Sequence, residues 1–350
     1  MSPTPQIDER RRRWGTYAFS ILLAGALLYW AVRGVNWGQV GSIIGGIQWK
    51  YVAVGTSFTC FTFLLRSYRW RILLNAEGNF DLLTVFCANM AGTLSNNFLP
   101  ARAGELVRSV LISSRSSLSK TYVLTTALSE RLMDVIALVL ASSLALWKVS
   151  PKPHWMAGAS RTMALVALAG GVATIVLPYT AATWESVARR LPLPRLIGKS
   201  LERILEQVFL GLRAFHDAGR FWKFGLFTAA VWLSDACATV LGGRALGLHV
   251  SFPVALLLLT GLGFASALPS TPGSLGIYQF IYVSVLTLFG ISRDGALAFA
   301  LVSQVMGYVV TLALGGPSFY WLQKPGSLVR LPGVICTGGA PQAGLPPARV

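Results

Sequence analysis

Apolar runs long enough to cross a bilayer recur along this chain, separated by short basic stretches, and that alternation leaves few folds open. They cover residues 15–32, 51–65, 82–99, 121–147, 163–178, 224–246, 253–268, 275–289 and 296–322. Backbone polar groups in hydrocarbon must be satisfied within their own segment, which makes such runs helices. The expected fold class is an all-α polytopic membrane protein with about six to eight transmembrane helices, two of its elements re-entrant or broken. Composition agrees: 54% of the residues are hydrophobic and only 12% charged, well outside soluble averages. A net charge of +17 would point to nucleic acid in a soluble domain. Here Lys and Arg lie between apolar runs, where they set orientation and meet anionic headgroups, so no nucleic-acid partner is expected.

Residues 1–14 read as a basic cytoplasmic leader carrying Arg10 to Arg13, followed by an uncleaved first helix. Residues 15–322 read as one transmembrane domain. Arg66, Arg69 and Arg71 follow the run 51–65 and are expected to return its end to the cytoplasm. Within 185–220, Leu201, Ile204, Leu205, Val208, Leu212 and Phe215 recur at helical spacing opposite charged residues, which suits an amphipathic helix on the membrane surface or docked onto the bundle. The tail, 323–350, is rich in Pro and Gly and is expected to be disordered and cytoplasmic. Both termini are thus placed inside, in the cell inner (plasma) membrane.

Two interruptions fall within apolar stretches. In Asn96-Asn97-Phe98-Leu99-Pro100-Ala101-Arg102-Ala103-Gly104-Glu105 a helix is expected to stop at Leu99-Pro100 and another to begin near Ala103. A shift of 169 residues lays Pro100 and Gly104 on Pro269 and Gly273, within Leu268-Pro269-Ser270-Thr271-Pro272-Gly273-Ser274-Leu275-Gly276. Paired interrupted segments in two halves of a membrane chain point to a site at a repeat interface, so the two are candidates for an inverted repeat. The first break offers a cation beside a helix amino terminus, which makes Asn97, Arg102, Glu105 and Arg108 candidates for binding a lipid headgroup. Positive-inside anchoring is the alternative reading of Arg102 and Arg108. Pro100, Gly104, Pro269, Pro272, Gly273 and Gly276 are the expected helix breakers.

Charges within spans are costly, about 2.5–3.5 kcal/mol each at a helix centre, and are seldom idle. Glu130, Arg131 and Asp134 are the densest set: Glu130 and Asp134 share a helix face, with Arg131 in reach of Asp134. They fit a buried structural cluster or a charge gate equally. Asp235 is a weaker site candidate and Arg244 a snorkelling end residue. Cys60, Cys87, Cys237 and Cys336 lack pairing or metal spacing, and no metal or cofactor is expected.

Asn97, Pro100, Arg102, Gly104, Glu105 and Arg108 form the pattern Asn-x-x-Pro-x-Arg-x-Gly-Glu-x-x-Arg. With Glu-Arg-x-x-Asp at Glu130, Arg131 and Asp134 and Pro-Gly-x-x-Gly at Pro272, Gly273 and Gly276, it resembles the lysylphosphatidylglycerol synthase transmembrane family. That family includes the flippase-like part of the multiple peptide resistance factors, and the resemblance covers roughly residues 15–322. It implies a helical bundle that moves anionic, aminoacylated or polyprenyl-type lipids between leaflets, with a membrane phospholipid or polyprenyl lipid as partner. Ser274 and Gln279 depart from the family pattern, which commonly has a second Gly and a Glu there. The aminoacyl-transferase domain of the full synthases has no counterpart, so no lysylphosphatidylglycerol synthesis is expected.

Enzyme readings fare worse, and the chain is not expected to be one. Ser274 would need a base, yet His154, His216 and His249 lie at or outside span ends. A membrane transferase would want paired carboxylates holding a metal, for which Glu105, Glu130 and Asp134 are the available set. An accessory subunit of a lipid-modifying or glycolipid-synthesising enzyme is the remaining alternative.

Overall fold

A computed structural model describes residues 21–99, 103–116, 118–148, 217–265 and 272–323, and residues 165, 168, 169 and 172 besides. The leader 1–14, Pro100, Arg102, Pro269, most of the run 163–178, the amphipathic segment up to residue 216 and the tail from residue 324 lie outside them. Among the described residues all regular structure is helical. The helices are α1 (Ile21–Val32), α2 (Trp37–Gly45), α3 (Trp49–Leu74), α4 (Leu82–Phe98), α5 (Gly104–Ser113), α6 (Lys120–Lys148), α7 (Ala218–Ala245), α8 (Phe252–Ala265), α9 (Ile277–Thr287) and α10 (Arg293–Gln323). A 3₁₀ turn at Pro272–Ser274 precedes α9.

Local chemistry fixes the helix ends. Asp81 caps α4 by accepting from Leu83 N and Thr84 N, and Asp217 caps α7 by accepting from Arg220 N. Leu99, held extended at φ −90°, ψ 137° as the residue before a proline must be, ends α4. α5 then starts at Gly104, whose N–H donates to Asn96 Oδ1 at 2.8 Å, so α4 caps its own successor. The turn is tight because Gly92 and Gly104 abut: a Cβ at Gly92 would lie 2.7 Å from Gly104 O.

The element order repeats. A shift of 169 residues carries Trp49, the start of α3, onto Ala218, the start of α7, and Leu82 onto Ser251, one residue before α8. Beyond the break the shift is 173, which carries Gly104 onto Ile277 and Lys120 onto Arg293. Each half therefore holds a long helix, a broken pair and a second long helix. The long ones have 26, 29, 28 and 31 residues, enough at 1.5 Å per residue for a hydrocarbon core of about 30 Å. The broken pairs have 17 and 10 residues in α4 and α5, and 14 and 11 in α8 and α9.

α3 and α7 join the halves as an antiparallel pair. Gly55 faces Ala238 and Leu241, Thr62 Oγ1 donates to Ser234 Oγ at 2.9 Å, and Leu73 packs on Phe224, so the partner number falls as the α3 number rises. Each broken pair also packs on the second long helix of the other half: α4 on α10, through Gly315 against Leu94, and α8 on α6, through Thr260 and Gly263 against Leu138. α1 and α2 pack on helices of the second half. Trp30 packs on Phe280 at 4.9 Å, and Asn36 N donates to Asp294 Oδ1 at 2.9 Å.

α7 and α10 are the two described helices both long enough and apolar enough to cross a membrane. α3 and α6 match them in length but are less apolar. Leu64, Leu144, Leu226 and Leu312, one on each long helix, stand 46–69% exposed, as expected of a surface that faces lipid.

The span expected at 51–65 is corrected. α3 continues to Leu74, so Arg66, Arg69 and Arg71 are residues of the helix and not a basic loop following it. Each has a protein acceptor: Asp235 for Arg66, Glu130 and Asp134 for Arg69, and Phe80 O for Arg71.

Candidate functional site

A buried ionic cluster fills the first half. Arg69 on α3 is fully buried, and its guanidinium forks across one turn of α6, donating to Glu130 Oε1 at 2.7 Å and Asp134 Oδ2 at 2.9 Å. The i,i+4 spacing of the two carboxylates lets one planar cation bridge them. Arg69 Nη1 also donates to Thr228 Oγ1 across the α3/α7 seam, and Trp232 Nε1 of α7 donates to Asp134 Oδ1 at 3.2 Å.

α5 adds a second cation. Arg108 is 3% exposed and donates from Nη1 to Glu130 Oε2 and to Asn89 Oδ1, both at 3.1 Å. Its Nε lies 3.0 Å from Glu105 Oε2, and its guanidinium rests 4.5 Å from the Trp70 ring centroid. Glu105 also accepts from Arg131 at 2.9 Å. The pairing expected between Arg131 and Asp134 is thereby corrected: Arg131 reaches back to α5, and Asp134 takes Arg69 instead. Arg69, Arg108 and Arg131 balance Glu105, Glu130 and Asp134, leaving no net charge in the cluster. Nitrogens that could compete for a metal ion's ligands already occupy the oxygens of Glu130 and Asp134.

The structure thus brings Glu105, Arg108, Glu130, Arg131 and Asp134 together, and adds Arg69, Asn89, Trp70 and Trp232, which sequence reasoning missed. Asn97 stands apart, donating to Thr311 Oγ1 of α10 at 2.7 Å. Arg69 had a signal: residues 51–65 would form a helix only about 22 Å long, too short for a hydrocarbon core, so it had to continue through the arginines.

The second break is pinned without charge. Gly273 and Gly276 have φ of +68° and +86°, conformations that suit glycine. Gln279 Oε1 accepts from Gly276 N at 2.7 Å while its Nε2 donates to Gln304. Gln304 Nε2 and Tyr308 OH each donate to Gly273 O at 2.9 Å. Gln279, standing where a family Glu is common, is 2% exposed and holds the loop as a neutral donor and acceptor.

Between the halves, Arg66 Nη2 of α3 donates to Asp235 Oδ2 of α7 at 2.8 Å, with Trp232 under the guanidinium at 5.0 Å. These two residues are equivalents under the 169-residue shift. Asp235 also lines a cavity of about 260 Å³ between α3, α7, α8, α9 and α10.

Among the described residues the fold is all-helical, with two halves of similar element order and with α7 and α10 long and apolar enough to cross a membrane. The chain matches the family described as lysylphosphatidylglycerol synthase TM region over residues 17–315, and it belongs to that family. It is similar to two UPF0104 membrane proteins of Methanothermobacter thermautotrophicus. One is 23% identical over 88% of this chain and 93% of its own length, the other 20% over 87% and 92%. It is 24% identical to glycosyltransferase AglD of Haloferax volcanii over 79% of this chain, a match covering 50% of that protein. No solved structure matches.

Proposed function

We propose that this protein moves a lipid between the leaflets of a membrane, its headgroup passing between the two halves while its chains stay in hydrocarbon. The observation that carries the reading is the antiparallel α3/α7 pair, which relates two halves that each contain a broken helix pair packed on the other half. Inverted halves with discontinuous helices are the architecture in which one central site can face either side in turn. In this reading α4/α5 and α8/α9 are re-entrant elements reaching in from opposite faces, both termini are cytoplasmic and the membrane is the cell inner membrane. The lipid is anionic, aminoacylated or of polyprenyl type, and the protein performs no covalent chemistry itself.

Arg102 and the amino terminus of α5 are proposed to contact the headgroup phosphate, flanked by Asn97. Glu105 and Arg108 support that helix end from behind, since both are engaged in the cluster. The ionic cluster is read as framework: six paired charges tie α3, α5 and α6 into one body. Purified protein in vesicles should catalyse leaflet exchange of a fluorescent phospholipid or polyprenyl phosphate. Arg102→Ala should slow exchange without unfolding the protein, and Arg102→Lys should restore it in part, because an ammonium lacks the guanidinium fork. Wild-type exchange rates in Arg102→Ala at full expression would refute the assignment.

A second reading has its own support. The relative whose printed name is a glycosyltransferase matches this chain over only half of its length, so this chain corresponds to one part of a protein with that activity. An accessory subunit of a glycolipid-synthesising enzyme fits that relation. Exchange by the purified chain alone separates the two.

A further inference from the structure

We infer that the cavity between α3 and the second half is a site for an uncharged, polyhydroxylated group, a single sugar ring or a similar polyol. This deepens the transport reading, and rests on it, by naming a group that the lipid's headgroup carries beyond its phosphate.

The first argument is positional. Under the repeat, Arg69 corresponds to Ala238, and Glu130 and Asp134 correspond to Ser303 and Gly307, spaced like their counterparts by four residues. Ala238, Ser303 and Gly307 all line the cavity. The volume that the first half fills with a guanidinium and two carboxylates is therefore empty in the second. At about 260 Å³ it lies just below the usual range of small-molecule pockets, about 300–1,000 Å³, which suits a ring-sized group.

The second argument is chemical. Thr59 and Thr239 donate their hydroxyl protons to Gly55 O and Asp235 O within their own helices, at 3.1 and 2.8 Å, so each offers oxygen lone pairs to the cavity. Asp235 adds a carboxylate. Tyr278, Tyr282 and Ser303 add hydroxyls that can donate or accept, so the lining offers both roles without net charge, which suits a polyol better than a phosphate. Arg66 neutralises Asp235, so no net charge remains to hold an ammonium. Tyr278, Tyr282 and Phe299, packed on one another at 4.8 and 5.1 Å, give the lining an aromatic wall suited to the C–H side of a ring.

The test uses the whole protein in a polyoxyethylene detergent, titrated with octyl β-D-glucoside below its micelle-forming concentration. Octyl phosphate and octyltrimethylammonium are controls sharing the chain. The glucoside alone should raise the thermal midpoint and bind saturably by equilibrium dialysis. Gly307→Leu is the decisive variant, because a Cβ at Gly307 meets nothing within 4 Å and a helical Gly is replaced by a better helix former. It should keep or raise the midpoint of the free protein and weaken glucoside binding at least tenfold. Saturable binding unaffected by Gly307→Leu, no binding, or preference for the ammonium probe would each overturn the assignment. Glucoside binding without exchange of any lipid would keep this site and remove the transport reading. Phospholipid exchange without glucoside binding would do the reverse.

Discussion

Removing the Arg69 side chain should be among the most damaging single changes available in this protein. In Arg69→Met the volume is nearly kept, but Asp134 loses its cation and, among described residues, retains only Trp232 Nε1 at 3.2 Å. Glu130 is better placed, since Arg108 still donates to it at 3.1 Å. The variant therefore buries about one unneutralised carboxylate, a change worth roughly 3–5 kcal/mol when one member of a buried pair is deleted. Arg69→Lys keeps the charge but cannot fork across both carboxylates. It should cost about 1.5–3 kcal/mol, the value of one hydrogen bond to a charged group. Adding Asp134→Leu to Arg69→Met removes the stranded charge and should recover most of the loss, because Glu130 and Arg108 remain a pair. Reversible unfolding by detergent titration would measure all three. A loss below about 1 kcal/mol in Arg69→Met, or a double variant no better than the single, would refute the charge accounting. If Arg69→Lys folds fully yet exchanges no lipid, the cluster acts as a gate and not as framework.

Two further outcomes follow from local geometry. Partial burial raises the Asp81 carboxyl, but the amides of Leu83 and Thr84, the Thr84 hydroxyl and Arg71 outweigh it, so the group titrates below the usual carboxylate range. A lowered folded value contributes stability above the unfolded pKa and loses it as pH falls through the folded one. Asp81→Ala should thus cost about 0.5–2 kcal/mol at neutral pH, and the gap to wild type should close in thermal melts taken below about pH 4. Gly104→Ala places a methyl against Gly92 O and the Asn96 side chain. It should cost about 1–3 kcal/mol and shift a cross-link between α4 and α5, whereas Gly307→Ala, which meets nothing, should cost no stability.

Several helices were legible in the sequence because an apolar run of sufficient length reads as one. The expected ends 82–99, 121–147 and 224–246 lie within a few residues of α4, α6 and α7 except where Asp217 caps α7 early. The first break was legible for the same reason, since the residue before Pro100 cannot stay helical. The partner of the charges was not. Glu130 and Asp134 announced an acidic face, but nothing along α6 says that their cation sits on α3, more than 60 positions away. Arg69 was misread because a positive charge after an apolar run has the same pattern whether it meets headgroups or a buried carboxylate. Register through the second break was missed too: pairing Gly104 with Gly273 holds for the motif, while helix α9 begins at Ile277, four residues later in register.

Gly307 leaves the hollow on the second half clear. A glycine within a helix costs about 0.5–1 kcal/mol relative to Ala and persists where a side chain would collide or where room is needed. Gly92 and Gly315 belong to the first kind, since a Cβ would meet Gly104 O at 2.7 Å in one case and Leu94 Cβ at 2.7 Å in the other. Gly307 belongs to the second: nothing lies within 4 Å, so helix packing does not demand it. Any larger residue there would project into the space that Asp134 occupies in the other half. The two halves thus fill one equivalent position differently: in the first Arg69 binds the carboxylates of α6, and in the second Ala238, Ser303 and Gly307 stand in place of that cluster.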